Sequence, residues 1–254
     1  MSDNNTQFSR ILGVPICRQS LDQHISDAIH AIENKNEQIF FACANPHSIV
    51  EAQNDDDFLK ALNNAEQVVA DGVGVTITAK LLNIDVGPRI AGEDYYNSIL
   101  DALVKRGHGR VFYFGSSQNV LDKIEARFGV DYPSLELAGL YSPPYGEWDT
   151  EKNEEMIQII NNASPDVLFV GMTAPKQEKW IYNNRNRLSS SVILAIGAVF
   201  DFYAGTYPRA PKIICELGLE WLYRFISEPR RMWKRNFVSA PVFVFKSLFE
   251  RMFK

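Results

Sequence analysis

An acidic residue followed by glycines is the segment of this sequence best suited to chemistry. Asp71 comes directly after the apolar run 67–70 and is followed by GVG at 72–74. Glycines let a ligand approach the backbone closely, and a carboxylate in such a place can act as a general base. An aspartate is equally suitable as the N-cap of a helix that begins near Val73. Both roles of Asp71 stay open on the pattern alone.

Two further loops carry polar or small residues where an apolar run ends. Asn45 precedes Pro46 and either binds a ligand or shapes the turn before the proline, which is the commoner role. Gly115 precedes two serines and a predicted helix, a layout whose free backbone amides suit a phosphate or a ribose. Such glycine and serine turns are common, so the signal at Gly115 is weak by itself.

Two more candidate positions follow the last two apolar runs. Lys176 and Gln177 come after Pro175, which is typical of a first helical residue, so both lie at a positive helix end that attracts anions. Asp201 follows the run 192–197 and either caps a helix or faces the same site as the other candidates.

The sequence carries no pattern that predicts a bound metal. The acidic run 55–57 lies inside a helical pattern over 48–64, which favours a solvated helix face. The four histidines are scattered, at 24, 30, 47 and 108. There is no HExxH, no CxxC pair, no GxxxxGK[ST] loop and no complete GxGxxG after a strand. We expect neither a metal ion nor an organic cofactor.

Six short apolar runs alternate with helical patterns and must position these residues. The runs predict strands at 38–44, 67–70, 110–114, 135–138, 166–171 and 192–197. Helices are predicted at 21–32, capped by Ser20, and at 48–64, 93–105, 120–128, 150–161 and 176–187. Alternation of this kind predicts an α/β fold with a mainly parallel sheet and helices on both faces. Ligands of such sheets bind beyond the carboxyl ends of the strands.

The C-terminal segment differs from the rest of the chain. From Lys212 onward, nine lysines and arginines face four glutamates, a net charge of +5 in a chain whose total is -5. The alternation of apolar runs with helical patterns stops at 207–211, and amphipathic segments rich in aromatic residues follow. We therefore predict an α/β domain at 1–208 and a basic aromatic helical appendage at 209–254. Such an appendage suits an anionic partner, either a phosphate or a membrane surface, although a solvated helix pair has the same pattern.

Length and composition exclude several classes of protein. A chain of 254 residues with 46% hydrophobic residues can bury a core. No apolar run approaches the roughly 18 residues that span a bilayer, and the first ten residues lack the features of a secretory signal. Three widely spaced cysteines, Cys17, Cys43 and Cys215, indicate reduced thiols and a cytoplasmic compartment. We expect no nucleic-acid partner, and the sequence leaves a homo-oligomer open.

Several of these stretches occur together, in order, in one known family. They are Asn45, ADGVGV at 70–75, PRIAG at 88–92, FYFG at 112–115, APKQE at 174–178, FDFYAG at 200–205, RAP at 209–211, GLEWLYR at 218–224 and EPRR at 228–231. With them, the chain from about Asn45 to Arg231 resembles the WecG/TagA/CpsF family of glycosyltransferases. Each stretch alone is only a weak sign of the family, but the whole set in this order is highly specific for it.

The resemblance implies an activity and a set of site residues. It implies an inverting, metal-independent transfer of a hexose or N-acetylhexosamine from a UDP-sugar to a polyprenyl-diphosphate-linked saccharide, in cell-surface polysaccharide synthesis. The implied fold is a Rossmann-like domain with an appendage that helps to complete the active site. Asp71 corresponds to the catalytic base. The corresponding substrate-binding residues, with Gly115 added from its loop, are Asn45, Arg89, Gly115, Gln177, Asp201, Arg224 and Arg231.

Two positions depart from the family pattern. Cys43 stands where some members have threonine, so no hydroxyl role is assigned there. Lys234 stands where some members have arginine, and lysine offers a point charge without a bidentate fork. Residues 141–148 form a loop that varies within the family, and this loop is a candidate contact of the donor.

Two other classes of protein compete with this interpretation. The first is a non-enzymatic nucleotide-binding assembly module that docks on a membrane, which would bind UDP without turnover. The second is a dinucleotide-dependent oxidoreductase, which the sheet pattern allows but the missing glycine fingerprint disfavours. The interpretation as a transferase predicts a peripheral location on the inner face of the cell membrane, because the implied acceptor is linked to a lipid.

Overall fold

A parallel β-sheet lies at the centre of the computed structural model, which describes residues 7–208, 210, 211, 214 and 218–253 apart from the side chain of Arg231. Its strands are β3 (Ile39–Ala44), β4 (Gln67–Ala70), β5 (Arg110–Gly115), β6 (Glu136–Tyr141), β7 (Val167–Gly171) and β8 (Val192–Ala195). Their order is β4-β3-β8-β7-β5-β6, and all neighbours are parallel. The parallel sheet predicted from the six apolar runs is confirmed.

Helices cover both faces of this sheet. They are α1 (Leu21–Asn34), α2 (Pro46–Ala52), α3 (Asp56–Asn63), α4 (Val73–Leu81), α5 (Gly92–Arg106), α6 (Gln118–Asp131), α7 (Thr150–Ala163), α8 (Lys176–Asn184) and α9 (Val199–Tyr203). One core lies between the sheet and α2, α3, α7 and α8. The other lies between the sheet and α1, α5, α6 and α9. The fold is therefore α/β and Rossmann-like, as predicted.

The continuous apolar runs of the central strands follow from burial on both faces. Every residue of β7 and β8 is buried, and successive residues of β3 alternate between the two cores, with Phe40 in one and Phe41 in the other. A strand covered on both sides needs apolar residues at every position, which is typical of parallel sheets. Ser20 caps α1 through a reciprocal bond with Gln23, as its position predicted.

Two features of the N-terminal half differ from the sequence prediction. The single helix predicted over 48–64 is wrong, because α2 ends at Ala52 and Asp55 caps a separate helix, α3. A hairpin of β1 (Phe8–Ile11) and β2 (Val14–Cys17) was not predicted. Its two-residue turn holds Leu12 and Gly13 at φ values of 49° and 77°, and leucine is an unusual residue for that conformation.

The C-terminal appendage is helical in its described part. It contains α10 (Glu220–Ser227), α11 (Pro229–Lys234), a π-helical segment (Arg235–Ser239) and α12 (Ala240–Met252). Phe243 on α12 is fully buried in the core beside α2, so α12 packs firmly on the α/β part of the chain. The division between 208 and 209 stays a prediction, and Arg209 itself lies outside the described residues.

Within the described ranges, no helix has both the length and the apolarity that crossing a lipid bilayer requires.

Candidate active site

Asp71 lies at the carboxyl edge of the sheet, where β4 ends. Its backbone N–H donates to the carbonyl of Ala44 at 2.8 Å, which extends the pairing of β3 and β4 by one residue. The N-cap of α4 is Gly72, at a φ of 85°, and no side chain caps this helix. The N-cap role that the pattern left open for Asp71 is therefore wrong, and the half-buried carboxylate is available for another purpose.

The charges around Asp71 come from both parts of the chain. Burial, and after it the nearby Glu220 carboxylate, raise the pKa of the Asp71 carboxyl to about 6. Arg224, Arg235 and Arg89 act in the opposite direction, in that order. The charges of three guanidinium groups thus act on one half-buried carboxylate, and two of these groups belong to the C-terminal appendage.

The appendage reaches the site through a close backbone contact. A Cβ on Gly218 would lie 2.8 Å from Cγ1 of Val73, the first residue of α4, and Gly218 has a φ of 72°. Glycine is required there on both counts. Glu220 and Arg224 follow one helical turn apart on α10, so both lie on the face that this contact turns towards Asp71.

Arg224 is held at the edge of the site with part of its hydrogen-bonding capacity unused. Its guanidinium carbon lies 5.6 Å from the centre of the Phe202 ring, within the range of a cation–π contact. Its Nε is buried and has no acceptor among the residues that the structure describes. A buried guanidinium N–H without a partner is costly, and a bound anion would satisfy it. The side chain of Arg231 lies outside the described residues.

Asn45 and Asp201 both have local structural partners. Asn45 is the N-cap of α2, and its side-chain oxygen accepts from the backbone N–H of Ser48 at 3.0 Å. The turn-shaping role is therefore present, beside the loop of Asp71. Asp201 lies in the first turn of α9, and its Oδ1 accepts from the hydroxyl of Thr206 at 2.9 Å. Whether either residue also binds substrate stays a prediction.

Gln177 joins the ends of two strands at the carboxyl edge. Its Oε1 accepts from the backbone N–H groups of Met172 at 3.2 Å and Gly197 at 3.1 Å, beyond β7 and β8. Its Nε2 donates to Oε1 of Glu178 at 2.9 Å. Burial raises the pKa of the Glu178 carboxyl to about 7. Lys176, by contrast, turns away to the loop over 141–148, where its Nζ donates to the carbonyl of Gly146 at 2.7 Å.

Gly115 lies farther along the same edge. Four inter-strand spacings separate β5 from β4, which puts Gly115 on the order of 19 Å from Asp71. Its φ is 125°, and a Cβ there would lie 2.5 Å from the carbonyl oxygen of Gly171. Glycine is thus required by the close approach of β5 and β7, and a role in substrate binding stays a prediction.

One of the three residues of the acidic run 55–57 has a structural role. Asp55 caps α3 by accepting from the N–H of Phe58, and its carboxylate pairs with Lys179 at 2.9 Å. Asp56 and Asp57 are exposed, as a solvated helix face requires. The histidines, cysteines and carboxylates of the described chain include no group of three placed to hold a metal ion.

Two charged residues near Asp71 escaped the sequence prediction. Glu220 and Arg235 both act on the Asp71 carboxyl, yet neither was assigned a role. A signal was present, because Glu220 precedes Arg224 by four residues and Arg235 follows Arg231 by four. Residues four apart share one face of a helix, so each predicted arginine pointed to a companion.

Together, these features define a class of site. A half-buried carboxylate suits the removal of a proton, and the arginines opposite it suit a negatively charged leaving group. These features are typical of a group-transfer enzyme built at the carboxyl edge of a Rossmann-like sheet.

Comparison with known proteins narrows this class to one family. A family model described as "Glycosyl transferase WecG/TagA/CpsF family" matches residues 9–254. The chain belongs to this family and is a glycosyltransferase.

Curated relatives named N-acetylglucosaminyldiphosphoundecaprenol N-acetyl-beta-D-mannosaminyltransferase agree with this assignment. The protein of Bacillus spizizenii is 32% identical over 211 residues, 83% of this chain and 79% of its own length. That of Bacillus subtilis strain 168 is 32% identical over 206 residues, 81% and 77% of the two chains. That of Staphylococcus aureus strain MW2 is 30% identical over 246 residues, 96% and 93% of the two chains.

Proposed function

We propose that this chain transfers an N-acetylhexosamine from a UDP-sugar to a polyprenyl-diphosphate-linked sugar, with inversion at the anomeric carbon and without a metal ion. The names of the relatives support this substrate class, since they specify N-acetylmannosaminyl transfer to N-acetylglucosaminyldiphosphoundecaprenol. The observation that carries the proposal is the half-buried Asp71 carboxylate at the carboxyl edge of the sheet, within electrostatic range of three arginines.

Asp71 acts as the base in this reaction. A hydroxyl of the acceptor sugar gives its proton to the Asp71 carboxylate, and its oxygen bonds to the anomeric carbon of the donor. The bond from that carbon to the diphosphate oxygen breaks on the opposite face, so UDP leaves with the bonding electrons. The product sugar is therefore inverted. A pKa of about 6 lets Asp71 be ionised at neutral pH and still accept a proton in the transition state.

Cationic side chains stabilise the departing UDP in place of a divalent metal. Arg224 offers a buried N–H with no acceptor in the described part of the chain, and the charge of Arg89 also acts on Asp71. Guanidinium groups form short, charge-assisted hydrogen bonds with phosphate oxygens, often in pairs. Arg231 is proposed as a further ligand of the donor diphosphate from its place in the EPRR stretch at 228–231.

The remaining predicted residues hold or contact the substrates. Asn45 shares the edge with Asp71 and is proposed to hold the acceptor sugar through its amide nitrogen. Gln177 fixes the chain after β7 and β8, and is proposed to shape the floor of the sugar site. Gly115 and Asp201 are proposed to contact the nucleotide or the sugar on either side of this floor.

A peripheral location on the cytoplasmic face of the membrane follows from the acceptor. A polyprenyl diphosphate is confined to the bilayer surface, so the site must approach that surface. The net charge of +5 from Lys212 onward and the exposed rings of the appendage suit an interfacial segment on anionic lipid.

A donor panel tests the proposal. The purified chain is incubated with UDP-N-acetylmannosamine, UDP-N-acetylglucosamine or UDP-glucose and a short-chain lipid-diphosphate N-acetylglucosamine. We expect release of UDP with one N-acetylhexosamine donor and a product of inverted anomeric configuration. UDP binding without acceptor-dependent release of UDP would instead identify a non-enzymatic nucleotide-binding module. A product with the donor's own configuration would contradict inversion.

A further inference from the structure

Two consecutive cations of the appendage have different surroundings. Lys234, the last residue of α11, has a side chain that is 62% exposed, with Nζ 3.9 Å from Oε1 of Glu51 on α2. Arg235, the first residue of the π-helical segment, is half-buried. A change from α- to π-helix often marks a functional site, because the wider turn redirects side chains. The two neighbours therefore do not share one role.

The π-helical segment packs beside the turn that carries Asn45. Ser239, its last residue, forms a hydrogen bond of 2.8 Å between its hydroxyl and Nδ1 of His47. Pro46, next to His47, lies so near the Asp71 loop that a Cβ on Gly74 would be 2.8 Å from its Cγ. This chain of contacts joins the π-helical segment to the loop of the proposed base.

The opposite side of the segment is held by α10. Phe225 and Phe237 pack edge to face with ring centres 5.1 Å apart, and Nδ2 of Asn236 is 3.5 Å from the carbonyl oxygen of Trp221. The segment thus lies between the helix that carries Arg224 and the turn that precedes α2. Arg235 begins this segment, and its charge acts on both Asp71 and His47.

We infer that Arg235 binds a substrate diphosphate above Asp71, whereas Lys234 docks the appendage on α2. The inference rests on the proposed function. Arg235 brings a planar fork that matches two phosphate oxygens, which a lysine cannot offer. It also follows Arg231, the other proposed phosphate ligand of this segment, by four residues in the sequence. The position next to it, where some family members have arginine, is thereby assigned to docking in this chain.

Both substrates of the proposed reaction contain a diphosphate. In the donor it joins uridine to the sugar, and in the acceptor it joins the sugar to the lipid. Arg235 has the chemistry for either one, and binding measurements separate them. UDP and uridine report on the donor site, while the KM of the short-chain lipid-diphosphate sugar reports on the acceptor site.

Three variants of the full-length chain test the inference. Arg235→Gln keeps most of the side-chain length without the charge, Arg235→Lys keeps the charge without the fork, and Lys234→Ala is the matched control. We expect Arg235→Gln to weaken UDP binding, or to raise the KM of the acceptor, by about 10-fold or more. A change in UDP binding assigns the donor diphosphate, and a change in acceptor KM alone assigns the lipid diphosphate. Uridine binding should not change.

Arg235→Lys should lie between the wild type and Arg235→Gln, and Lys234→Ala should stay within about 2-fold of the wild type, as expected for an exposed ion pair. Thermal unfolding of each variant checks that the fold is intact. An Arg235→Gln protein with wild-type UDP affinity and wild-type acceptor KM would overturn the inference. An equal loss of UDP affinity or rise in acceptor KM in Lys234→Ala would also overturn it. So would a loss of uridine affinity in Arg235→Gln that equals its loss of UDP affinity. A wild-type chain without UDP binding or transfer would instead overturn the proposed function, and the inference with it.

Discussion

The α/β part of the chain and the C-terminal appendage differ in how much of their apolar surface they bury. In the former, every residue of β7 and β8 is buried, and Asp71 stands at the end of a fully buried strand. In the latter, α10 buries none of its residues, and large rings such as Phe245 and Phe249 are exposed. A rigid sheet edge suits a base that must keep its position. An amphipathic surface suits a segment that must bring charge to a substrate at a lipid surface.

The site is therefore divided, with its carboxylate on one part and most of its cations on the other. Asp71 belongs to the sheet, whereas Arg224 and Arg235 belong to the appendage. Changes in the α/β part should alter the chemical step, and changes in the exposed face of the appendage should alter access to the membrane. Five experiments test this division.

The largest effect is expected from Asp71→Asn. The amide keeps the shape of the side chain but removes the basic oxygen, so turnover should fall by roughly 10² or more. UDP binding, measured by calorimetry, should persist because the arginines remain. Asp56→Asn, at an exposed acid of α3, is the matched control and should turn over normally. Near-normal turnover in Asp71→Asn would exclude Asp71 as the base.

The pH profile of the wild type gives a second test of the same residue. With the pKa of the Asp71 carboxyl raised to about 6, kcat/KM should fall as pH drops below that value. Asp71→Asn should lose this acidic limb.

A loss of membrane binding is expected when exposed rings of α12 are replaced. Phe245 is 70% exposed and Phe249 is 53% exposed. The double variant with serine at both positions should bind anionic vesicles roughly 10-fold more weakly, since each ring contributes apolar area at the headgroup boundary. Turnover of a water-soluble acceptor should be unchanged. Truncation after Pro208 is a less specific test, because it also removes Phe243 from the core.

Val130→Ser is the control for this experiment. Val130 is 79% exposed on α6, in the α/β part, and its replacement should leave vesicle binding unchanged. Unchanged cosedimentation of the double phenylalanine variant would assign membrane binding to another surface.

A smaller effect, on stability, is expected from the same carboxylate that is proposed as the base. The pKa of Asp71 is raised from 3.8 in the reference state to about 6 in the folded chain, so the folded state binds the proton more tightly. Wild-type stability should therefore decrease as pH rises from about 4 to 6 and stay lower above that range. At pH 8, Asp71→Asn should be more stable by about 1 to 3 kcal/mol.

Thermal unfolding at two pH values measures this difference. The gain in Tm of Asp71→Asn should be present at pH 8 and shrink towards pH 4. An equal Tm of the wild type and Asp71→Asn at pH 8 would show that the ionised Asp71 carboxylate does not lower the stability of the folded protein.

The smallest change is expected on removal of divalent metal. With arginines opposite Asp71, EDTA should leave the rate of transfer nearly unchanged. The control is addition of Mg²⁺ or Mn²⁺ after chelation. Loss of activity that either ion restores would mean that a carboxylate site for the metal exists and that the arginines do not suffice.

The sequence predicted the sheet well and the appendage less well, for physical reasons. Strands buried on both faces must be apolar throughout, so six runs in the sequence marked six strands. Parallel strands end at one edge, so Asn45 and Asp71 were expected at the same edge of the sheet, and the pairing of β3 with β4 makes them neighbours there. The N-cap role of Asp71 was excluded only by the conformation of Gly72.

Other features depend on contacts that no local pattern encodes. The hairpin of β1 and β2 has Pro15 in a strand and Leu12 in a left-handed turn, both unusual residues for those places. In the appendage, charged residues occur on most helical turns, and the sequence does not distinguish the exposed Lys234, which pairs with Glu51, from the half-buried Arg235 next to it.

The central pairing of β3 with β8 has a consequence for how the chain folds. Ile39 pairs with Val192, so two neighbouring strands are separated by about 150 residues of sequence, and such long-range contacts slow folding. β3 and β4 can pair early, as can β5 and β6, but these two halves are joined only through β7 and β8. During synthesis the sheet therefore closes late, just before the appendage emerges. We expect α12 to leave the ribosome when the sheet is already complete, so that Phe243 docks on a formed core.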